Sequence, residues 1–133
     1  MQSLKNCEMI LDIWHITNIM GGDQAFEVTF LNEAKEECKL VFERGVWDMR
    51  YSIENASIDR FCKFRECLPM GLIDNSLYVV EDSEYIKYFE QQVCGTRPDG
   101  ELKHYLLIDK IDTTLDILSW KDPIVVKSTS TNS

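Results

Sequence analysis

The chain has 133 residues, of which 23 are Asp or Glu and 14 are Lys or Arg, so its formal net charge is −9 at pH 7. Its length fits one compact domain, and a hydrophobic content of 44% supplies enough apolar area for a core. An excess of carboxylates repels nucleic-acid phosphates and anionic lipid surfaces, and it attracts basic proteins. The composition therefore argues against nucleic-acid and membrane partners and favours a basic protein partner.

A single globular domain is predicted over residues 1–127, followed by a flexible Ser- and Thr-rich C-terminal tail at 128–133. No run approaches the roughly 18 consecutive apolar residues of a membrane span. The first residues also lack the basic and apolar regions of a secretory signal. The cysteines are odd in number and scattered, which is typical of reduced thiols in the cytoplasm. We therefore expect a cytoplasmic protein.

Alternation of apolar and polar residues predicts β-strands through the first half of the chain. Residues 9–14 form the first such stretch, and Gly21 and Gly22 predict a turn before a strand at 26–30. Two more strands, at 38–42 and 47–53, flank Gly45, whose conformational freedom suits a tight turn between paired strands. Residues 58–64 are compatible with either a strand or a short helical turn.

The second half contains one predicted helix, at about residues 82–94. Asp82 or Ser83 can cap it, Glu84 suits its first turn, and Gly95 ends it. Strands are predicted at 77–80, at 102–109 and 114–120 as a hairpin, and at 124–126 as an edge strand after Pro123. The predicted fold class is α+β, a mostly antiparallel β-sheet with one main covering helix. Its predicted core residues are Phe26, Val28, Phe30, Trp47, Met49, Tyr51, Phe89, Leu106 and Ile108.

The two histidines, His15 and His104, are the first candidates for catalysis. Either could act as a general base if a nucleophile lay within hydrogen-bond distance. No nucleophile motif accompanies them, which favours ordinary strand histidines. We assign no catalytic residue.

The sequence contains no complete motif for a metal or cofactor site. Cys62 and Cys67 have no second pair to complete a zinc site. Asp109, Asp112 and Asp116 surround a predicted hairpin turn but lack the spacing of a calcium-binding loop. No metal-binding or cofactor-binding residue is assigned, and no cofactor is predicted.

Two acidic clusters are the candidate partner-binding residues, together with two aromatic side chains. Such a surface can steer and anchor a basic protein, although solubilising charges would produce the same pattern. The candidates are Glu33, Glu36, Glu37, Glu81, Asp82, Glu84, Tyr88 and Trp120.

Three segments carry a resemblance to a known class of protein: WDMRYSIEN at 47–55, HYLLID at 104–109 and LSWKDP at 118–123. Together they resemble the small acidic immunity proteins of bacterial polymorphic toxin systems. The resemblance implies a cytoplasmic, non-enzymatic α+β domain that neutralises a cognate toxin by tight binding. It assigns no partner-contact residue.

The leading hypothesis is therefore a non-catalytic acidic protein-binding domain of this immunity type. One alternative is a small enzyme or ligand-binding protein with a cleft near His15 or His104. A further alternative is an oligomeric structural protein in which an exposed strand edge pairs with a second copy.

Overall fold

The structure is a computed structural model that describes residues 3–6, 11–21, 25–43, 46–53, 76–92, 102–111 and 113–127. Its elements, in chain order, are strands β1 (Ser3–Asn6), β2 (His15–Gly21), β3 (Ala25–Leu31), β4 (Glu37–Glu43), β5 (Val46–Ile53) and β6 (Leu77–Glu81), helix α1 (Glu84–Gln92), and strands β7 (Lys103–Ile108), β8 (Thr113–Ser119) and β9 (Ile124–Lys127).

These strands form two antiparallel sheets. One has five strands in the order β1-β6-β7-β8-β5, and the other has four in the order β2-β3-β4-β9. A mostly antiparallel fold with one main helix is confirmed. The sequence pattern predicted a single sheet, because alternation shows which residues share a face and leaves open which strands share a sheet.

The main core lies between the two sheets. The four-stranded sheet contributes Val28, Leu40 and Phe42, and the five-stranded sheet contributes Tyr105 and Leu107; all five are fully buried. The rings of Phe42 and Tyr105 meet edge to face across the sheets at 5.6 Å. The two inner faces therefore enclose one apolar layer, as in a β-sandwich.

Helix α1 covers the other face of the five-stranded sheet. Tyr85 on the helix is buried with Leu102 and Leu118, while Ile86 and Phe89 pack at the margin of this second cluster. Every residue of β8 is consequently buried. The predicted helix at 82–94 is confirmed from Glu84 to Gln92, whereas 93–94 lie outside the described residues.

The predicted pairing around Gly45 is wrong, although both strands exist. β4 pairs with β3 and β9, whereas β5 pairs with β8 in the other sheet. The chain thus passes from one sheet to the other between residues 43 and 46. The predicted hairpin β7–β8 and the edge position of β9 are confirmed. Strand β3 pairs with the strand before it, but that strand is His15–Gly21 and not the predicted 9–14.

The first predicted strand is wrong over 11–14, and β2 begins at His15 instead. Separate hydrogen bonds hold this segment: Ile13 N–H donates to Ser76 Oγ over 3.0 Å, and Trp14 N–H donates to the Leu31 carbonyl over 2.8 Å. Leu11 and Ile13 are buried without a strand ladder. The residues predicted at 58–64, with Cys62 and Cys67, lie outside the described residues.

The predicted core is confirmed for Val28, Phe30 and Leu106 and is wrong for Tyr51, which is 54% exposed on edge strand β5. A register shift between Val46 and Asp48 turns Trp47 away from the main core. Its ring lies 6.1 Å from that of Phe89 on helix α1. The remaining predicted core residues are half-buried: Phe26, Trp47, Met49, Phe89 and Ile108.

Candidate functional site

Three buried polar side chains form a line beneath the start of helix α1. Ser83 Oγ lies 2.7 Å from His104 Nδ1, and His104 Nε2 lies 2.6 Å from Asp116 Oδ1. The residues are 5%, 2% and 0% exposed, respectively. Ser83 precedes the helix, whereas His104 and Asp116 come from neighbouring strands β7 and β8. We call these three residues the buried triad.

Ser83 also caps the helix. Its Oγ accepts a hydrogen bond from Ile86 N–H over 3.1 Å, the N-cap interaction that serine commonly provides. An ionised carboxylate only accepts, so His104 Nε2 donates to Asp116. With a neutral imidazole, the Ser83 hydroxyl then donates to Nδ1. The first turn of the helix is thereby bonded through the imidazole to the middle of the sheet.

Tyr85 encloses the triad from the helix side. Its ring meets that of His104 edge to face at 5.3 Å, and the Arg50 guanidinium lies 3.5 Å over the Tyr85 ring. Burial raises the pKa of Tyr85, with a further increase from Asp48 and an opposing effect of Arg50. The Tyr85 hydroxyl is buried and has no hydrogen bond of standard geometry.

The triad has the residue types of a hydrolase but a different environment. In an active site the serine must reach the substrate, and its oxygen must be available for attack. Ser83 Oγ is enclosed and already bonded to the helix backbone and to His104. This geometry suits attachment of the helix to the sheet. His104 itself is also buried.

Asp109 is a second buried polar centre. Its Oδ1 accepts the N–H groups of Ile111 and Thr113 over 3.0 and 2.8 Å, and its Oδ2 accepts that of Ile16 over 3.0 Å. His15 Nδ1 lies 3.7 Å from Oδ2, which is too far for a hydrogen bond. The carboxylate thus closes the β7–β8 turn and joins it to β2. Asp116 bonds to His104 on the helix-facing side of the sheet, away from Asp109, and the third predicted carboxylate, Asp112, lies outside the described residues.

The first acidic cluster spans the connection between β3 and β4 and the first residue of β4, and its members Glu33, Glu36 and Glu37 are all exposed. Glu33 pairs with Lys110, and Glu36 pairs with Lys127 over 3.3 Å. A hydrogen bond from Asn32 lowers the pKa of Glu36, with a smaller contribution from Lys127. Part of this negative charge is therefore compensated within the protein.

The second acidic cluster, Glu81, Asp82 and Glu84, lies at the opposite end of the sandwich. Glu81 ends β6, whereas the Lys110 that binds Glu33 follows the end of β7, which runs antiparallel to β6. A hydrogen bond from Lys87 lowers the pKa of Asp82 to about 2. The structure therefore does not unite the two clusters into one surface.

The two aromatic candidates differ in accessibility. Tyr88 is 60% exposed on helix α1. Trp120 is half-buried, with its ring 5.7 Å from that of Trp47. Tyr88 is thus an available contact, while Trp120 mainly fills the margin of the helix–sheet cluster.

Within the described ranges, no three His, Cys, Asp or Glu side chains gather as metal ligands. Nor does any helix in this part of the chain have the length and apolar character required to cross a membrane.

The buried triad and the Asp109 centre could not be predicted from the sequence, because each joins distant parts of the chain and no local motif marks it. No protein-family model, curated protein or solved structure matches the chain.

Proposed function

We propose that this protein is a non-catalytic acidic binding domain that neutralises a basic protein partner in the cytoplasm, as the immunity proteins of bacterial toxin systems do. The observation that carries the proposal is the contrast between interior and exterior. Ser83, His104 and Asp116 bond to one another in the interior, and the candidate acidic residues are all exposed. The exterior therefore provides the chemistry available to a partner.

Electrostatics supports a basic partner. With a net charge of −9, the protein attracts cationic surfaces over distances comparable with the Debye length, about 8–10 Å at physiological salt. Such attraction mainly accelerates association. The internal pairs of Glu33 and Glu36 limit the local charge without changing the overall sign.

Affinity capture from the native host tests the proposal. The tagged full chain should retain a basic protein at about 50 mM salt, with a slower association rate at about 500 mM salt. Co-expression of the wild-type chain should then relieve the growth defect caused by the captured protein. Capture of acidic proteins alone, or a captured protein whose activity is unchanged by the chain, would contradict the proposal.

Charge variants distinguish long-range electrostatic attraction of the basic partner from short-range contact with it. Replacing Glu81 and Glu84 by Gln should reduce the association rate, because it removes two exposed carboxylates. The matched control, Lys121→Gln, removes an exposed positive charge and should increase the rate slightly. Equal effects of both changes would show that steering by negative potential is absent.

A further inference from the structure

The outer face of the four-stranded sheet exposes a continuous set of side chains. Met20, Glu27, Val41 and Ile124 lie directly opposite one another across β2, β3, β4 and β9. The next cross-strand row contains Asn18, Thr29, Lys39 and Val126. Since successive residues of a strand point to opposite faces, both rows face away from the core. We call these two rows the open face.

The open face is accessible to solvent, and half of its eight side chains are apolar. Met20, Ile124 and Val126 are 59%, 47% and 45% exposed, and Val41 between them is half-buried. Val41, Ile124 and Val126 adjoin one another on β4 and β9, while Met20 lies on the opposite edge strand. Adjacent exposed apolar residues are more typical of interaction sites than single ones. The corresponding face of the five-stranded sheet is covered by helix α1.

An ion pair lies in the middle of the open face. Lys39 Nζ is 3.4 Å from Glu27 Oε1, and their side chains are 40% and 33% exposed. Because the two charges compensate each other, the centre of the face can approach apolar groups at a smaller desolvation cost than an unpaired charge would impose.

The charge around this face indicates what binds it. Glu37 and Glu43, at the two ends of β4, are exposed on the same side as Lys39. Among the described residues of this face, the carboxylates are those of Glu27, Glu37 and Glu43, and the ammonium group is that of Lys39. A second copy would bring two such faces, each on a chain of charge −9, into contact and would be repelled. A cationic polypeptide with aliphatic side chains is complementary to this face both in charge and in apolar contacts.

We infer that the open face is the docking surface for the basic partner, with Met20, Ile124 and Val126 as its apolar contacts. This inference rests on the proposed function and specifies where the partner binds. It also distinguishes the open face from helix α1, where Tyr88 is the exposed aromatic residue.

Methyl NMR with a defined probe tests the inference directly. The probe is a synthetic peptide of alternating Leu and Lys, with poly-lysine as the probe of charge alone. The Leu-Lys peptide should shift the Met20 and Ile124 methyl resonances saturably, and added salt should weaken its binding. Shifts centred on helix α1, or no saturable shift, would overturn the inference. Concentration-dependent shifts of the same methyls without peptide would overturn it in favour of a second copy.

Substitutions on the two surfaces provide the matched comparison. Replacing Met20 and Ile124 together by Thr, which leaves the net charge unchanged, should weaken peptide binding about tenfold or more, whereas Tyr88→Gln on helix α1 should leave it unchanged. Val126→Thr is a second, nearly isosteric variant that preserves strand propensity, and it should give a smaller loss in the same direction. Unfolding curves establish that each variant is folded.

The same variants distinguish the inference from the function on which it rests. If the wild-type chain captures a basic protein and the Met20/Ile124 variant captures it with the same affinity, the open face is not the docking surface. The proposed function would still hold. If the Leu-Lys peptide binds the open face but the wild-type chain neutralises no protein, the proposed function is wrong.

Discussion

The hydroxyl oxygen of Ser83 lies 2.7 Å from Nδ1 of His104, so the residue that caps helix α1 is bonded to a strand of the sheet below. Ser83→Ala removes this bond and the N-cap bond to Ile86 N–H. We expect a loss of about 1–3 kcal/mol in the free energy of unfolding. Urea denaturation measures the change. Thr17→Ala, which removes an exposed hydroxyl bonded at 3.3 Å to the Thr29 carbonyl, is the control and should cost less than about 0.5 kcal/mol. Equal costs would show that the buried bonds of Ser83 add no stability.

Tyr85→Phe keeps the ring between His104 and Arg50 and removes only the hydroxyl. Because that hydroxyl has no hydrogen bond of standard geometry, stability at pH 7 should change by less than about 1 kcal/mol. Tyr85→Ala should cost about 3–5 kcal/mol, because it also removes the buried ring.

The stability of Tyr85→Phe relative to the wild type has a predicted pH dependence. The folded protein raises the pKa of Tyr85 above its ordinary value of 10.0 and so favours the protonated phenol. The associated stability is fully present below pH 10.0 and decreases as the pH rises above it. Tyr85→Phe should therefore gain stability relative to the wild type in strongly alkaline solution. Denaturation on both sides of this pH, with Tyr88→Phe as the exposed control, tests the sign; a constant difference would contradict it.

Asp109→Ala leaves three backbone N–H groups without their acceptor, at Ile16, Ile111 and Thr113. Since the Asp109 side chain is fully buried, we expect a loss of roughly 3–5 kcal/mol. Asp12→Ala is the matched control nearby: its carboxylate is about half exposed, and its loss should cost less than about 1 kcal/mol. Chemical denaturation of both variants measures the difference. A cost for Asp109→Ala as small as that of the control would refute the structural role of this carboxylate.

Tyr105→Phe tests a link between the core and the β8–β9 connection. The buried Tyr105 hydroxyl donates to Asp122, and this bond, with a smaller effect of Lys103, lowers the pKa of Asp122 below its ordinary value of 3.8. The stabilisation is present above pH 3.8 and is lost as the pH falls through the lowered pKa. We expect a loss of about 1 kcal/mol at pH 7, modest because the Asp122 side chain is 69% exposed to screening solvent.

Denaturation of the Tyr105→Phe variant at neutral pH and at a pH well below 3.8 measures this dependence. The difference from the wild type should shrink in acid, and the titration of the Asp122 carboxyl group should move up towards its ordinary range. Lys103→Gln removes only the exposed partner and should change stability by less than about 0.5 kcal/mol. A difference that grows in acid would show that the sign is wrong.

Local signals were sufficient for the helix and for most strands. Ser83 is followed by apolar residues at helical spacing, so capping and periodicity predict α1 from neighbouring residues alone. The β7–β8 hairpin was likewise predictable, because its strands are consecutive and joined by a short polar turn. Pairing between distant strands was not. β1 pairs with β6, and β4 pairs with β9. These partners are far apart in the chain, and the local sequence does not specify which distant strands pair.

The candidate site shows the same division. The acidic residues are exposed as predicted, because charge already favours solvent. Of the two aromatic residues predicted to be exposed, Tyr88 is exposed and Trp120 is half-buried. No local motif connects Ser83, His104 and Asp116, which are brought together only when β7 and β8 pair and helix α1 covers them.

By itself, the amino-acid order determined the charge, the apolar faces and helix α1, because these depend on composition and on neighbours a few positions apart. The tertiary structure decided the division into two sheets, the enclosure of Ser83, His104 and Asp116, and the exposure of the open face. These features depend on which strand lies beside which, and that choice is made by the packing of the whole chain around a shared core.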